Sequence, residues 1–584
     1  MFRYSRGIQI VTAHVGNDLN ACLRSRNEPK VEWLSIHWYD MTPGICGQPN
    51  EQSESKMDND VTLSRRSFVQ AVGLAAASTP SVFAEPLEQV TDIAARRELF
   101  VENTLISRLS GGAKLQLHQP TPREVSFVCN KPWEGASCAY MKVFQDGDLY
   151  RMYYRGSDVV YTKEGYSSPH PEVACYAESR DGIHWTTPEL ELFEYEGSKK
   201  NNIIWMGSGS HNFAPFLDAN PDCPKEERFK ALAGDFRKGL QAFVSADGVR
   251  FTPVGQKPVI AKGAFDSLNL AFWDTVVGTY REYHRDFRQG RDIRTGTSQD
   301  FVHWTDPEFL SYEAHRHGGE SDATAPVRDA DPANQLSGRV SQLYTNQIIP
   351  YYRAPHIYLG FPTRYIDRGW TYSATQLPRY EYRQLRGAKS RREGTAVTDG
   401  MLMASRNGTH FHVWPESFIR PGLRKRQSWF YGDTYQNHGL VETKTAIEDA
   451  PPELSAYVSE NSHQDHPGQF RRYTLRIDGF VSLTAPLAGG ELETTTLKFH
   501  GNRLSLNMST SAAGSVHVEI QDEKGTPIPG YTLSDAHALY GDSLSLLVAW
   551  KDRVTNLGEL AGKPIRLRFV VRDADLFSYQ FEQG

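Results

Sequence analysis

From about residue 99 onward, apolar and polar positions alternate in short stretches broken by Gly, Pro, Asp and Asn, and long helical periodicity is nearly absent. Leu149-Tyr-Arg-Met-Tyr-Tyr154 follows an Asp146-Gly147 turn and alternates as a half-buried strand does. Phe229–Ala233, Thr279–Tyr283 and His356–Phe361 read the same way. A turn recurs after such strands: Ser179-Arg-Asp181-Gly182-Ile-His-Trp185, Ser245-Ala-Asp247-Gly248-Val-Arg-Phe251, Ser298-Gln-Asp300-Phe-Val-His-Trp304 and Ser405-Arg-Asn407-Gly408-Thr-His-Phe411. Asp or Asn caps the turn through its own backbone, Gly accepts a positive φ, and the aromatic packs the outer hairpin. Successive copies lie 66, 53 and 107 residues apart, the last gap about twice the one before.

Units of this length with several strands each predict propeller blades. Five are read: Glu134–Trp185, His211–Phe251, Phe265–Trp304, Leu343–Phe411 and Trp429–Ile477, the fifth without a good copy of the turn and with Leu454–Ser459 as its third strand. The segment 99–128 is expected to supply a strand that closes the ring. After Asp478 the alternation becomes more regular, in Val516–Ile520, Leu544–Val548 and Ile565–Val571, which predicts a β-sandwich. The predicted fold is all-β: a five-bladed β-propeller over 99–478 followed by a C-terminal β-sandwich over 479–584.

The N-terminus is different text. Residues 1–56 show no periodic pattern. Met57 opens a stretch with Ser64-Arg65-Arg66-Ser67-Phe68-Val69, an apolar run Ala71–Ala77 and Ser81-Val82-Phe83-Ala84. A charged start, a short apolar stretch and a small-residue cleavage site make 57–84 resemble a twin-arginine export signal. It implies a periplasmic or secreted protein maturing near Glu85, with 1–56 a start-site artefact or a disordered leader. No stretch approaches membrane-spanning length. A net charge of −6 over 584 residues argues against a nucleic-acid partner. Cys129, Cys138, Cys175 and Cys223 lack zinc-site spacing, and an exported location allows one or two disulfides among them. No cofactor motif is present, and His211 is read as a hydrogen-bonded channel residue rather than a metal ligand.

Inner strand, second strand, then Ser-x-Asp-x-x-x-Trp, repeated in five blades, resembles the arabinanase and fructosidase clan of glycoside hydrolases, families 32 and 43. The resemblance implies carboxylates projecting into the central funnel from inner-strand starts, one protonating the leaving oxygen and one acting as base or nucleophile. Carried over by position, the candidates are Glu134, Asp266 and Asp433 at inner-strand starts, with Asp292 and Asp399 at third-strand starts. Glu134 and Asp266 are the preferred pair. Blades two and four start with His211-Asn212 and Tyr344-Thr-Asn346 and have no acid there, a departure from the three-acid pattern. Arg155, Arg237, Arg288 and Arg364 follow second strands, and arginine forks bind carboxylate or sulfate well. Arg155, His211, Arg288, Tyr344, Arg364 and Tyr431 are therefore the candidate substrate contacts. Two outcomes follow for the arginines: an anionic, uronate-bearing or sulfated glycan, or pairing with the neighbouring acids. The expected function is cleavage of an oligo- or polysaccharide; the alternatives are a non-catalytic carbohydrate-binding propeller and a protein scaffold.

Overall fold

The computed structural model describes residues 90–288, 290–315, 342–388, 390–553 and 555–584. The stretch 57–84, expected to be an export signal, and the segment before it lie outside the described residues. The fold is a five-bladed β-propeller followed by a β-sandwich.

Blade 1 runs outward through Ala139–Asp146, Leu149–Gly156, Val173–Ser179 and Ile203–Met206; blade 2 through Ala214–Leu217, Phe229–Asp235, Gly239–Ser245 and Thr252–Pro253. Blade 3 has Leu270–Asp274, Thr279–Phe287, Arg291–Ser298 and Glu308–Phe309. Blade 4 is broader. Its sheet of Ile349–Tyr351, Ala354–Gly360, Ala396–Ser405 and His410–Ile419 also takes in Gln342–Leu343, Thr363–Asp367 and Ser311–Ala314, the last parallel to His410–Ile419. Blade 5 is Val441–Thr443, Glu453–Glu460 and Gln469–Leu475, and its outermost strand is Thr121–Val128 from the other end of the chain. The 453–460 strand is thus second in its blade, not third as its sequence suggested.

The recurrent turn is built as its residues dictate. Asp181 Oδ1 accepts the amides of Ile183 and His184, both at 2.8 Å, while Ser179 Oγ accepts that of Gly182 at 2.9 Å. Gly182 holds φ 71, and Phe301 at the same place in blade 3 holds φ 67.

The C-terminal strands Val481–Ala485, Gly490–Thr494, Leu497–Phe499, Arg503–Asp522, Asp542–Leu547 and Ile565–Glu582 are joined by four N-terminal ones. Thr91–Ala94, Arg97–Leu99, Ile106–Gly111 and Lys114–Leu117 all pair here and not in the propeller. One hydrophobic core runs from this layer into blades 4 and 5, with Trp550, Phe569 and Phe581 in the same cluster as Trp414, Phe418 and Val458. Cys129, Cys138, Cys175 and Cys223 are free thiols, so no disulfide forms among them. Among the described residues, no helix is long and apolar enough to cross a membrane.

Candidate active site at the propeller mouth

Strand entries and loops at one end of blades 1 to 5 converge on the propeller axis. Entering an inner strand there demands a sharp change of direction: Tyr140, Phe265, Gln347 and Thr434 hold φ of 55, 54, 48 and 63 at these entries. Between blades 1, 2 and 3 opens a cleft of about 410 Å³, lined by Glu172, Ser208, His211, Asp235, Phe236 and Asp266 among others. This is a size ordinary for a small-ligand site.

His211 stands between two carboxylates at its floor. Nδ1 is 2.8 Å from Glu172 Oε2, and Nε2 is 3.4 Å from Asp266 Oδ1. Arg155 pairs with Glu172 at 3.6 Å, donates to the Ser137 carbonyl at 2.7 Å, and packs 4.8 Å over the Tyr140 ring. Arg285, fully buried, forms the ion pair to the other oxygen of Asp266. Burial pushes both carboxyls up, but the His211 hydrogen bonds and the charges of Arg155 and Arg285 outweigh it and hold Glu172 and Asp266 each at about 2. Both are ionised at neutral pH.

Arg285 also links the cleft to a second cluster nearer the axis. It donates to the Tyr344 carbonyl at 3.2 Å and lies 4.8 Å over the Tyr344 ring, which Arg291 approaches at 4.5 Å. The Tyr344 and Tyr431 hydroxyls are hydrogen-bonded to each other, and Arg392 donates to Tyr431 at 3.1 Å. Burial acts to raise Tyr344, yet Arg285, Arg291 and Arg392 together hold it below the usual phenol range; burial and the charge of Tyr344 push Tyr431 well above it.

A helical insertion in blade 4 covers this second cluster: Tyr372–Thr375, Tyr380–Gly387 and Arg391–Thr395. Arg383 donates to the Trp429 carbonyl at 2.7 Å, Arg386 to that of Tyr431 at 3.1 Å, and Tyr161 of blade 1 reaches Glu393 at 3.2 Å. Arg386 Nε and Nη1 have no hydrogen-bond partner among the described residues.

Of the residues singled out from the sequence, Asp266, His211 and Arg155 meet in the cleft, and Tyr344 and Tyr431 meet beside it. The others do not join them. Glu134 is 3 % exposed and turned into blade 1, where Oε1 takes the Tyr154 hydroxyl and Oε2 the Lys131 amide at 3.0 Å. Its surroundings are the Cys129 and Cys175 thiols, and burial raises it. Asp292 is tied to Arg288 at 2.7 Å and to Tyr312 at 2.8 Å, and Asp399 forms a two-pronged pair with Arg364 at 2.9 and 2.6 Å. For Arg288 and Arg364 the outcome is pairing with neighbouring acids. Asp433 is buried, accepts the Ser462 amide at 2.9 Å and that of Phe430 at 3.3 Å, and is pushed up to about 7 by burial.

The sequence reading missed Glu172, Arg285, Arg291 and Arg392. Glu172 lies in a loop ahead of a third strand, where no motif marks it. The Arg386…Arg391-Arg392 run was the available sign of the insertion. Among the described residues no group of three or more His, Cys, Asp or Glu could hold a metal ion.

No family model matches the sequence, and no curated protein matches it. Solved structures do show likeness. An N-acetylgalactosamine deacetylase from F. plautii covers 62 % of this chain and 94 % of its own, at 12 % identity and TM-score 0.37. An endo-1,4-beta-xylanase from Bacteroides thetaiotaomicron covers 60 % and 95 %, at 11 % identity and TM-score 0.35. A glycosyl hydrolase from Bacteroides ovatus covers 64 % and 97 %, at 14 % identity and TM-score 0.33.

Proposed function

We propose that this chain is an exported glycoside hydrolase that cleaves an anionic glycan, uronate-bearing or sulfated, in the cleft between blades 1, 2 and 3. The observation that carries the reading is the floor of that cleft, where two ionised carboxylates, Glu172 and Asp266, flank His211, with Arg155 paired to the first and Arg285 to the second. Asp266 has a side chain 59 % exposed and is placed to accept a proton from an attacking water, the base half of glycoside hydrolysis. Arg155 and Arg285 pair with these carboxylates at the floor, and Arg291 and Arg392 stand at the adjoining Tyr344 and Tyr431 pair; guanidinium forks favour a carboxylate or sulfate over a neutral sugar. Phe236, 68 % exposed on the cleft wall, offers a ring face to a sugar.

The test is turnover by the purified protein on a panel of neutral, uronic and sulfated glycans, with Asp266→Asn and Glu134→Gln alongside. Cleavage confined to anionic members is expected, with Asp266→Asn lowering kcat by roughly 10²–10⁴-fold. Glu134→Gln should stay within about threefold of wild type, since its carboxyl serves Lys131 and Tyr154 rather than the cleft. Binding without turnover in wild type would identify a carbohydrate-binding propeller instead.

A further inference from the structure

One side of the propeller mouth is walled. The loop that leaves blade 1 after Gly156 carries a small hairpin, Val160–Thr162 paired with Gly165–Ser167, before the chain re-enters the blade at Val173. It starts beside Arg155 and ends at Glu172, both in the cleft floor. The hairpin reaches the helical insertion of blade 4, although blade 5 stands between, its inner strand bridged to that of blade 1 at His438 and Lys142. Tyr161 of the hairpin donates to Glu393 Oε2 at 3.2 Å, its ring lies 6.5 Å from that of Tyr382, and Arg386 lies 5.4 Å over it.

Loops of blade 5 fill the space beneath. Arg383 donates to the Ser428 carbonyl at 3.0 Å, Arg379 pairs with Asp465 at 2.6 Å, and the Tyr382 hydroxyl reaches the His463 carbonyl at 3.5 Å. On the other flank the His463 and Gly468 amides donate to the Ala136 and Gly135 carbonyls of blade 1, at 2.6 and 3.1 Å. Hairpin, blade 5 loops and insertion thus form one packed wall over blades 1, 5 and 4. Arg383 and Arg386 are 1 % and 0 % exposed, so the insertion is bolted down and not laid on the surface. The wall also borders the cleft. His463 packs 6.1 Å from the Tyr431 ring, and after burial the charges of Arg386 and Arg392 in the insertion and of Arg155 in the cleft floor hold its imidazole well below the usual histidine range.

We propose that this wall makes the cleft a blind pocket, so that the enzyme takes its glycan by a chain end and releases the terminal unit instead of cutting within the chain. The inference rests on the hydrolase reading above and adds the mode of attack to it. A polymer cut at an internal bond must carry sugars away from the reacting carbon on both sides, which requires a groove open at both ends. Here one direction is open, over Asp235 and the exposed Phe236. In the other, Arg285 leads from Asp266 to Tyr344, the Tyr344 hydroxyl meets that of Tyr431, and the insertion stands over the pair, with Arg392 on one hydroxyl and Arg386 on the Tyr431 carbonyl. A sugar entering that way meets protein after the reacting bond. The enclosure is built from loops on a rigid blade scaffold, where specificity is set without touching the fold.

The experiment takes the panel glycan that wild type turns over, as the polymer and as its oligosaccharides of increasing length. Wild type is compared with Tyr161→Ala and with a variant whose residues 160–167 are replaced by two glycines. Attack at a chain end finds one site per molecule whatever its length. The expected kcat/KM per chain is therefore flat beyond the shortest oligosaccharides, and polymer viscosity falls only in step with the small sugar released. The hairpin-less variant should lose several-fold more viscosity per bond cut than wild type, and Tyr161→Ala, which frees the hairpin from the insertion, should shift the same way. Two results overturn the proposal: a wild type whose kcat/KM per chain climbs with length while viscosity collapses early, or a folded hairpin-less variant with the wild-type product pattern. Circular dichroism checks folding, and where the hairpin-less variant does not fold, Tyr161→Ala decides. A wild type that cleaves no member of the panel overturns the hydrolase reading itself, and the mode of attack with it, whereas internal cleavage overturns the blind pocket and leaves that reading standing.

Discussion

Burial, more than any neighbour, sets the protonation of Asp433, moving its carboxyl from an ordinary 3.8 to about 7 against the pull of Ser462, Phe430 and Arg386. A pKa above the unfolded value means the folded chain holds the extra proton. Its contribution to stability is full below the unfolded pKa and is lost as pH rises through the folded one, at roughly 1.4 kcal/mol per pH unit between about pH 4 and about pH 7. Asp433→Asn keeps an acceptor oxygen and cannot ionise. Its melting temperature relative to wild type should therefore climb between about pH 4 and about pH 7 and level off above that, and a difference that stays constant across this range would contradict the assignment. Other residues show what the sequence made legible. Asp266, His211 and Arg155 were found because inner strands can be counted from the recurrent turn. Glu134 occupies an equivalent place in the count, but its Lys131-Pro-Trp-Glu segment is a turn in which the carboxylate caps the amide three residues back. Spacing gives position along the chain; it does not say whether a side chain faces the axis or its own blade.

At the scale of the element, the recurrent turn joins blades as well as marking them. The third residue after the one paired with the turn serine is Tyr153 in blade 1 and Tyr283 in blade 3. Tyr153 donates to the Gly248 carbonyl in the turn of blade 2 at 2.9 Å, and Tyr283 to that of Gly408 in blade 4 at 2.7 Å. A Cβ on either glycine would meet the tyrosine oxygen at 2.9 or 2.8 Å, so glycine is needed for the approach as well as for its φ. Blade 2 has Leu232 at the tyrosine position, and the turn it faces in blade 3 has Phe301 at the glycine position, both in one apolar cluster. The irregular copy of the motif is thus one joint exchanged for another. Tyr153→Phe should cost about 0.5–1.5 kcal/mol, a lost hydrogen bond, whereas Phe301→Ala should cost about 3–5 kcal/mol, a cavity; denaturant unfolding of the two variants distinguishes them. The helical insertion was not legible because its helices have 4, 8 and 5 residues, too short to show an apolar period.

Over the whole molecule, one buried carboxylate ties propeller and sandwich together beside their shared apolar core. Asp478 is fully buried and takes the Tyr351 hydroxyl at 2.7 Å, that of Ser578 at 2.8 Å and the Asn507 amide at 3.1 Å, with Arg97 at 3.3 Å and Arg353 at 3.1 Å. These donors come from blade 4, the sandwich and the N-terminal strands together. Asp478→Ala would strand two guanidiniums and should destabilise by about 3–5 kcal/mol, read as a lowered thermal midpoint. The sequence shows a change of pattern after Asp478, but not that the strands over Thr91–Leu117 cross to the far side of it, since alternation carries no record of which edge a strand joins. That crossing has a consequence for how the protein is made. The strand Thr121–Val128 waits for Gln469–Leu475, and the strands over Thr91–Leu117 wait for Val481–Ala485, Gly490–Thr494, Leu497–Phe499 and Ile565–Glu582. Neither closure can form while the chain is still being synthesised short of those partners. During synthesis these first strands stay unpaired until partners far along the chain emerge, and their edges need shelter from aggregation in that interval.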